Sequence, residues 1–524
     1  MTPVQTTKMS NFRWVICALL FLATTVNYMD RQVLSLTWKD FISPEFHWSD
    51  ANYGTITGLF SIFYAIANLF AGKFIDWMGT KKGYLIAIFV WSLGAVLHAI
   101  SGIVTSGILT GNWLIGYDPA KEFIADYIVS GSAPAWFVSF IEILRGMPSW
   151  MQWLTSLLVS DGTADAMLAV STISVWIFLA FRLVLAVGEA GNFPAAIKVT
   201  AEYFPKKDRA FSTSIFNSGA SVGALAAPAI IPLLAHEWGW EMAFIIIGAL
   251  GFFWMGLWIW LYDSPRKNKR VNQAELNYIE QDNDIAEVQD RTNVKTEKPI
   301  PFWKCFTFRQ TWSFIVGKFM TDGVWWFFLF WAPAYFSDQY GYTSDSIMGI
   351  LLIFTLYFIV TVLSIGGGYL PKYFVEQRGM NPYLGRMRAM LMFACLPLLG
   401  LFAQPLGAYS AWWPAILIGL LGAGHQAWSA NLYSTIGDMF PKSTIGTITG
   451  IGTMAGGLSS FAINKGSGEF FTWAAEQGGA FGFFGFEGKP AAYMVVFCIC
   501  AVAYLIGWCV MKSLVPKYKP IVIE

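Results

Sequence analysis

Phe181-Arg182-Leu183-Val184-Leu185-Ala186-Val187-Gly188-Glu189-Ala190-Gly191-Asn192-Phe193-Pro194 lies in an apolar run that begins near Ile173. A charge at the centre of a bilayer costs at least about 2.5–3.5 kcal/mol, so an arginine and a glutamate in one membrane-length segment demand an account. Arg182 and Glu189 are seven residues apart, two turns along one helix face and about 10 Å in rise. Gly188 and Gly191 thin that helix and let a neighbouring backbone approach closely. The pattern predicts a buried charge pair lining a substrate and proton path. The competing reading is an ion pair that locks two helices together.

The surrounding composition sets the solvent. Of 524 residues, 56% are hydrophobic and 13% charged, with a mean hydropathy of +0.51. Soluble domains average about 25% charged residues, so the chain is expected to be a polytopic, all-α membrane protein. Its 25 Trp and 44 Phe suit membrane interfaces and packed helix bundles. A net charge of +1 offers nothing to a nucleic acid. The six cysteines, mostly in apolar segments, have neither a disulfide framework nor metal-ligand spacing, and no metal is expected.

Apolar runs long enough to span recur twelve times: 14–37, 52–75, 83–103, 170–197, 209–234, 241–262, 310–336, 346–370, 387–406, 411–436, 443–463 and 491–512. The first is read as a spanning helix and not as a removed signal, because no small-residue cleavage site follows it. Lys8, Arg13, Lys81, Lys82, Lys206, Lys207, Arg209, Arg266, Arg378, Arg386 and Lys512 fall in alternate loops and at both ends. That asymmetry predicts both termini on the cytoplasmic side. The charged, helix-prone stretch 263–308, containing Gln273 to Glu280, is expected to link an N-terminal six-helix bundle (1–262) to a C-terminal one (309–524). The interval 104–169 reads as an external insertion carrying short interfacial helices, since its apolar pieces are too short to span.

The two halves repeat. Glu202-Tyr203-Phe204-Pro205-Lys206 matches Asp438-Met439-Phe440-Pro441-Lys442, an offset of 236 residues, and a small-residue-rich helix follows each. The same offset places His425 opposite Glu189. Parallel repeats of this kind build a cavity at the interface of two halves.

Helix 1 carries Asn27-Tyr28-Met29-Asp30-Arg31. Adjacent residues point about 100° apart on a helix, so Asp30 and Arg31 cannot simply pair with each other. One is expected to meet Arg182 across the bundle while the other faces the cavity. After helix 2, Gly72, Asp76, Gly79 and Lys82 lie in a glycine-punctuated stretch that predicts a tight turn, its acid able to cap a neighbouring helix.

On these motifs the chain resembles the major facilitator superfamily. More narrowly it resembles the anion:cation symporter branch, and within that the bacterial hexuronate transporters. The Asp76 turn is similar to the superfamily loop motif, with Trp77 where an arginine is usual. Asn27-Tyr28-x-Asp30-Arg31 and Phe181-Arg182 with Gly188-Glu189-Ala190 and Phe193-Pro194 resemble the branch's own motifs. Asp263-Ser264-Pro265-Arg266, Gly368-Tyr369-Leu370-Pro371 and His425-Gln426-Ala427 resemble the hexuronate members. The insertion and residues near 466–490 have no counterpart in that pattern.

The resemblance implies twelve helices in two pseudo-symmetric bundles that rock to import a sugar acid with a proton. The setting implied is a bacterial inner membrane, with a monomer as the working unit and no cofactor beyond the coupling proton. Asp30 and Glu189 resemble the protonatable pair, Arg31 and Arg182 their cationic partners, and Tyr28 and Tyr64 the cavity-lining tyrosines. Lys372 stands where the second half's loop acid is expected, which weakens the latch there, and Thr453 stands near an expected asparagine.

The chemistry of the residues agrees. A carboxylate substrate needs a fixed cation, and arginine supplies a planar fork that stays charged. Asn217, His425, Gln426, Ser429, Asn431, Trp325 and Trp326 are candidates for the sugar's hydroxyls and faces. Lys318 and Asp322, four apart, are expected to pair locally. The leading expectation is proton-coupled import of a hexuronate such as glucuronate or galacturonate, with another organic anion, an aldonate or dicarboxylate, as the alternative. A membrane enzyme acting on lipid-linked sugar would need a catalytic acid cluster or metal site. The insertion offers only scattered acids, Asp118, Glu122 and Asp126.

Overall fold

The apolar runs become helices, and several boundaries have a local cause: Gly79, Gly239 and Gly341 end three of them, and the side chains of Ser49, Asp165 and Ser346 cap the starts of three. The computed structural model describes residues 9–113, 116–151, 155, 158–159, 162–281, 300–440, 444–519 and 521. Helix α1 (Phe12–Thr37) passes through a π-helical turn at Trp38–Ile42 into a short helix at Ser43–Phe46. Helix α2 (Asp50–Met78) starts at a capping box in which Ser49 and Asn52 each accept from the other's backbone N–H. Gly79 separates it from α3 (Thr80–Leu97), which continues through His98–Ile100 into Ser101–Thr110. Two inserted helices, α4 (Tyr117–Ser130) and α5 (Ala135–Arg145), meet at a 65° bend.

Asp165 starts α6 (Ala166–Glu189) by accepting from the Leu168 N–H at 2.9 Å. A break at Ala190–Gly191 leads into α7 (Asn192–Tyr203), and α8 (Lys206–Trp238) and α9 (Trp240–Leu261) complete the N-terminal set. The linker forms α10 (Gln273–Glu280). Its Glu275 accepts from the backbone N–H groups of Phe12 and Arg13 at 2.9 and 3.0 Å and bridges the Arg13 side chain at 3.1 Å. A carboxylate thereby answers the orphan donors at the start of α1.

The C-terminal set is α11 (Arg309–Tyr340), α12 (Ile347–Glu376), α13 (Pro382–Cys395, prolonged to Gly407), α14 (Trp412–Met439), α15 (Ile445–Gln477) and α16 (Gly488–Leu514). A two-stranded antiparallel hairpin, β1 (Gly482–Phe483) with β2 (Phe486–Glu487), precedes α16.

Among the described residues, nine helical passages are long and apolar enough to cross a membrane. The other three expected spans coincide with α11, α14 and α15, whose polar residues (Lys318 and Asp322, His425 and Gln426, Lys465 and Glu469) dilute their hydropathy. Several boundaries move. The insertion begins after Thr110 and ends at Asp165, narrower than 104–169, and α15 outruns its expected end at 463 by several turns. The side chains of Asp76, Lys206, Lys207, Arg209, Lys372 and Asp438, with residues 441–443, lie outside the described residues. The expected cap at Asp76, and the weakened latch where Lys372 replaces an acid, therefore fall outside the described residues.

Within the first set, α1 packs on α8 and α9, and α6 on α2 and α3; within the second, α12 packs on α14, and α11 on α15 and α16. The sets meet where α2 lies along α15, α8 against α12 and α1 against α11. Polar bonds between them gather at the end away from the linker. Lys39 bridges Asp338 at 2.9 Å and Asp50 at 3.5 Å, while Lys489 bridges Asp50 at 2.7 Å and Asp338 at 2.5 Å. Asp40 accepts from Ser337 Oγ and the Ser344 N–H, both at 2.7 Å.

Candidate functional site

The stretch that opened the sequence reading sits against α3 at backbone distance. A Cβ at Gly188 would fall 2.2 Å from the Trp91 nitrogen, and one at Gly94 would fall 2.5 Å from the Leu185 nitrogen. Glycine at both positions lets α3 and α6 touch, as expected of Gly188, and this sets the depth at which Glu189 and Trp91 project.

Four charges lie buried beside that contact: Asp30, Arg31, Arg182 and Glu189 are at most 5% exposed. Their pairing differs from both expectations. Glu189 is held by α1 rather than by Arg182 of its own helix: Arg31 Nη2 and Nε donate to Glu189 Oε2 at 2.9 and 3.2 Å. Asp30 accepts from the Trp91 indole N–H and makes no direct ion pair with Arg182. Arg182 Nη2 donates to the Arg31 carbonyl at 3.2 Å, and its guanidinium lies 5.0 Å from the Phe60 ring centroid. The register decides this, since two turns of helix hold Arg182 away from Glu189 while α1 delivers Arg31 within contact. Three atoms are left buried without a hydrogen-bond partner: Asp30 Oδ1, Glu189 Oε1 and Arg182 Nη1. Unsatisfied buried polar atoms cost stability and mark places where a proton, water or ligand belongs.

Arg31 also faces outward. It lines a cavity of about 270 Å³ between the two helix sets, and the rings of Tyr28, Tyr64 and Trp326 lie 5.4, 4.6 and 5.2 Å from its guanidinium. Three π faces hold the cation in place while leaving it electrostatically available. The cavity's other wall comes from the C-terminal set, with Trp325, His425, Gln426 and Ser429. His425 stacks on Trp325 at 5.3 Å with rings 4° apart, and its Nδ1 lies 2.7 Å from the Tyr504 hydroxyl. Tyr504 in turn donates to the Thr321 carbonyl at 3.2 Å, which leaves Nδ1–H as the donor to Tyr504 and Nε2 as an acceptor.

Of the residues expected to touch substrate, Tyr28, Arg31, Tyr64, His425, Gln426 and Ser429 thus come together around one space. Three do not line the cavity, Asn217, Asn431 and Arg182: Asn217 is exposed on α8, and the Asn431 amide donates to the Ala427 carbonyl at 2.8 Å. Arg182 sits behind the wall. The sequence reading missed Trp91 as the partner of Asp30, because a tryptophan in an apolar helix carries no signal of its own. It read Lys318 and Asp322 as a local bridge. They do bridge, at 2.6 Å, yet both line the same cavity as Arg31. The turn expected over Gly72, Gly79 and Lys82 shrinks to Gly79 alone: α2 stays helical through Gly72 to Met78, and Lys82 already lies in the first turn of α3.

Comparison with known proteins places this arrangement. The chain matches the Major Facilitator Superfamily over residues 20–120 and 153–463, and the unmatched interval falls inside the insertion. It is 26% identical over 466 residues to the hexuronate transporter of Escherichia coli K12, covering 88% of each chain. It is 24% identical over 404 residues to the galacturonate transporter of Dickeya chrysanthemi, covering 76% of this chain and 94% of that one. Its fold is similar to that of a bacterial homologue of the human lysosomal transporter Spinster in an inward-facing and occupied conformation, with a TM-score of 0.61 at 16% identity over 97% of both chains. A match of this extent, on a helical chain with a cavity between two helix sets, shows that the protein belongs to the Major Facilitator Superfamily and is a multi-pass membrane transporter, not an enzyme.

Proposed function

We propose that the protein is a proton-coupled symporter that imports a hexuronate, glucuronate or galacturonate, across a bacterial inner membrane as a monomer. One observation carries the reading: Arg31 is at once the cation on the cavity wall and the partner of the buried Glu189. A substrate carboxylate and Glu189 compete for one guanidinium. A proton on Glu189 releases Arg31 to the substrate, and its departure draws Arg31 back, so proton and anion travel together. Asp30, with an unpartnered oxygen beside the same cluster, is the second proton site. Aromatic faces and the polar groups of His425, Gln426 and Ser429 suit the sugar ring. The names of the two relatives support the substrate class. With both termini cytoplasmic, the ion-paired end faces out and the cavity is reached from the cytoplasm.

Purified protein in proteoliposomes tests this. Labelled glucuronate should accumulate when the outside is made acidic, and a protonophore should abolish accumulation. Uptake that ignores the pH gradient but follows a sodium gradient would overturn the proton coupling. Competition by an aldonate or dicarboxylate stronger than by glucuronate or galacturonate would favour the other organic anions.

A further inference from the structure

The transport cavity has a second charged pole that the Arg31 mechanism does not use. Lys318 and Asp322 lie one turn apart on α11, 5% and 8% exposed, and their side chains close a 2.6 Å bridge on the cavity wall. Lys318 Nζ also lies 4.8 Å from the Tyr433 ring centroid, so its position is defined from two sides. Asp322 is pressed against α15, where a Cβ on Gly456 would fall 2.3 Å from Asp322 Oδ2. Asp322 is thus held on its α15 side, while both side chains keep a face on the cavity. The two cations therefore belong to opposite helix sets, Arg31 to the first and Lys318 to the second, and each is already neutralised by a carboxylate of the chain.

These two carboxylates are not equivalent. Glu189 stands behind Arg31 and does not line the cavity, whereas Asp322 faces the space itself. A cargo with one carboxylate on Arg31 and hydroxyls at its far end can donate to Asp322. A cargo with a second carboxylate there meets an anion in a place of low dielectric, where like charges repel strongly, and finds the nearby lysine already taken.

Resting on the sugar-acid reading above, we infer that the Lys318–Asp322 bridge is a charge filter: Asp322 occupies Lys318 and so makes the cavity select monocarboxylate sugar acids over dicarboxylates. The specificity arises by exclusion, from a repulsive group in place of the unwanted cargo's second charge. Removing the Asp322 charge frees Lys318 to receive a second carboxylate.

The test uses the full-length purified protein and two probes, glucuronate and glucarate, with the ratio of their dissociation constants as the readout at fixed pH. Wild type should bind glucuronate more tightly. Asp322→Asn should move the ratio toward glucarate by about tenfold or more, a shift on the scale of one buried charge-assisted contact. Lys318→Gln added to Asp322→Asn should cancel that shift. A general packing defect would weaken both ligands together and leave the ratio alone. Asp322→Ser carries the same expectation if the asparagine variant does not fold. A ratio that stays at the wild-type value in a folded Asp322 variant, or a shift that survives loss of Lys318, overturns the filter while wild-type glucuronate binding keeps the sugar-acid reading standing. Wild type that binds neither probe overturns both.

Discussion

Arg31 is fixed by contacts of three kinds: two hydrogen bonds to Glu189 Oε2, three aromatic rings, and the cavity on its open side. Its fork, not only its charge, is used. Arg31→Lys keeps the charge but cannot make the Nε and Nη2 contacts together, so transport should fall at least about tenfold, the equivalent of losing ~1.4 kcal/mol. Initial rates in proteoliposomes at matched protein content check this, and near-normal rates would remove the fork from the mechanism. Glu189→Gln retains size and an acceptor but exchanges no proton. Counterflow exchange of labelled for unlabelled substrate should persist, while accumulation on a pH gradient should vanish. If that variant still concentrates substrate, the coupling proton binds elsewhere, and Asp30 with its unpartnered Oδ1 becomes the first candidate. The identities of these residues were legible in the sequence because charges in apolar runs are rare. Their partners were not, since pairing depends on how helices from different parts of the chain are rotated against one another. Asp30 ends on Trp91, a residue with no charged neighbour in its apolar run to announce it.

At the scale of elements, hydropathy located the helices well and their ends poorly. Turn residues such as Gly79 stop a helix where expected, but an amphipathic continuation does not register as a span. That is why α15 runs on to Gln477 past the apolar run, through Lys465 and Glu469; the continuation of α3 to Thr110 is itself apolar and belongs to the same passage. Lys318 and Asp322 were legible as a pair from their spacing, whereas their place on the cavity wall follows from the rotation of α11 against α15. The α3–α6 contact was visible in advance, as the small residue at Gly188. There is no room for a methyl group there: the nearest atoms are the Trp91 nitrogen and the Ala87 carbonyl oxygen, both backbone. Gly188→Ala must push the helices apart, at an overpacking cost of about 1–3 kcal/mol. The purified variant should melt several degrees lower, and transport should fall as well because Trp91 would move away from Asp30. An unchanged melting temperature would mean that the two helices are not in backbone contact.

For the whole molecule, the question is what holds one end shut. Lys39 and Lys489 alternate with Asp50 and Asp338 in a ring of four ion pairs that ties the end of α1 and the start of α2 to the end of α11 and the start of α16. All four side chains are less than a quarter exposed, so solvent screens them only in part. For a major facilitator chain to present its cavity on that side, these pairs must separate. Asp338→Asn leaves two lysines sharing Asp50, and stranding a charge in a partly buried cluster costs about 3 kcal/mol or more. Charged to the shut form alone, that is roughly a hundredfold shift in a two-state equilibrium. The expected result is a larger population open at this end. Spin labels on Ser43 and Tyr342, on opposite sides of the closure, should show a longer distance component in Asp338→Asn than in wild type by pulsed electron resonance. Raised salt should lengthen the wild-type distribution in the same direction, since partly exposed pairs weaken as ionic strength rises. Restoring a carboxylate as Asp338→Glu should recover much of the short component. A distribution identical in wild type and Asp338→Asn would show that the aromatic contact of Trp38, Tyr53 and Trp331, which lies beside the ring with Trp38 and Tyr53 stacked at 4.0 Å, closes this end without help from the charges.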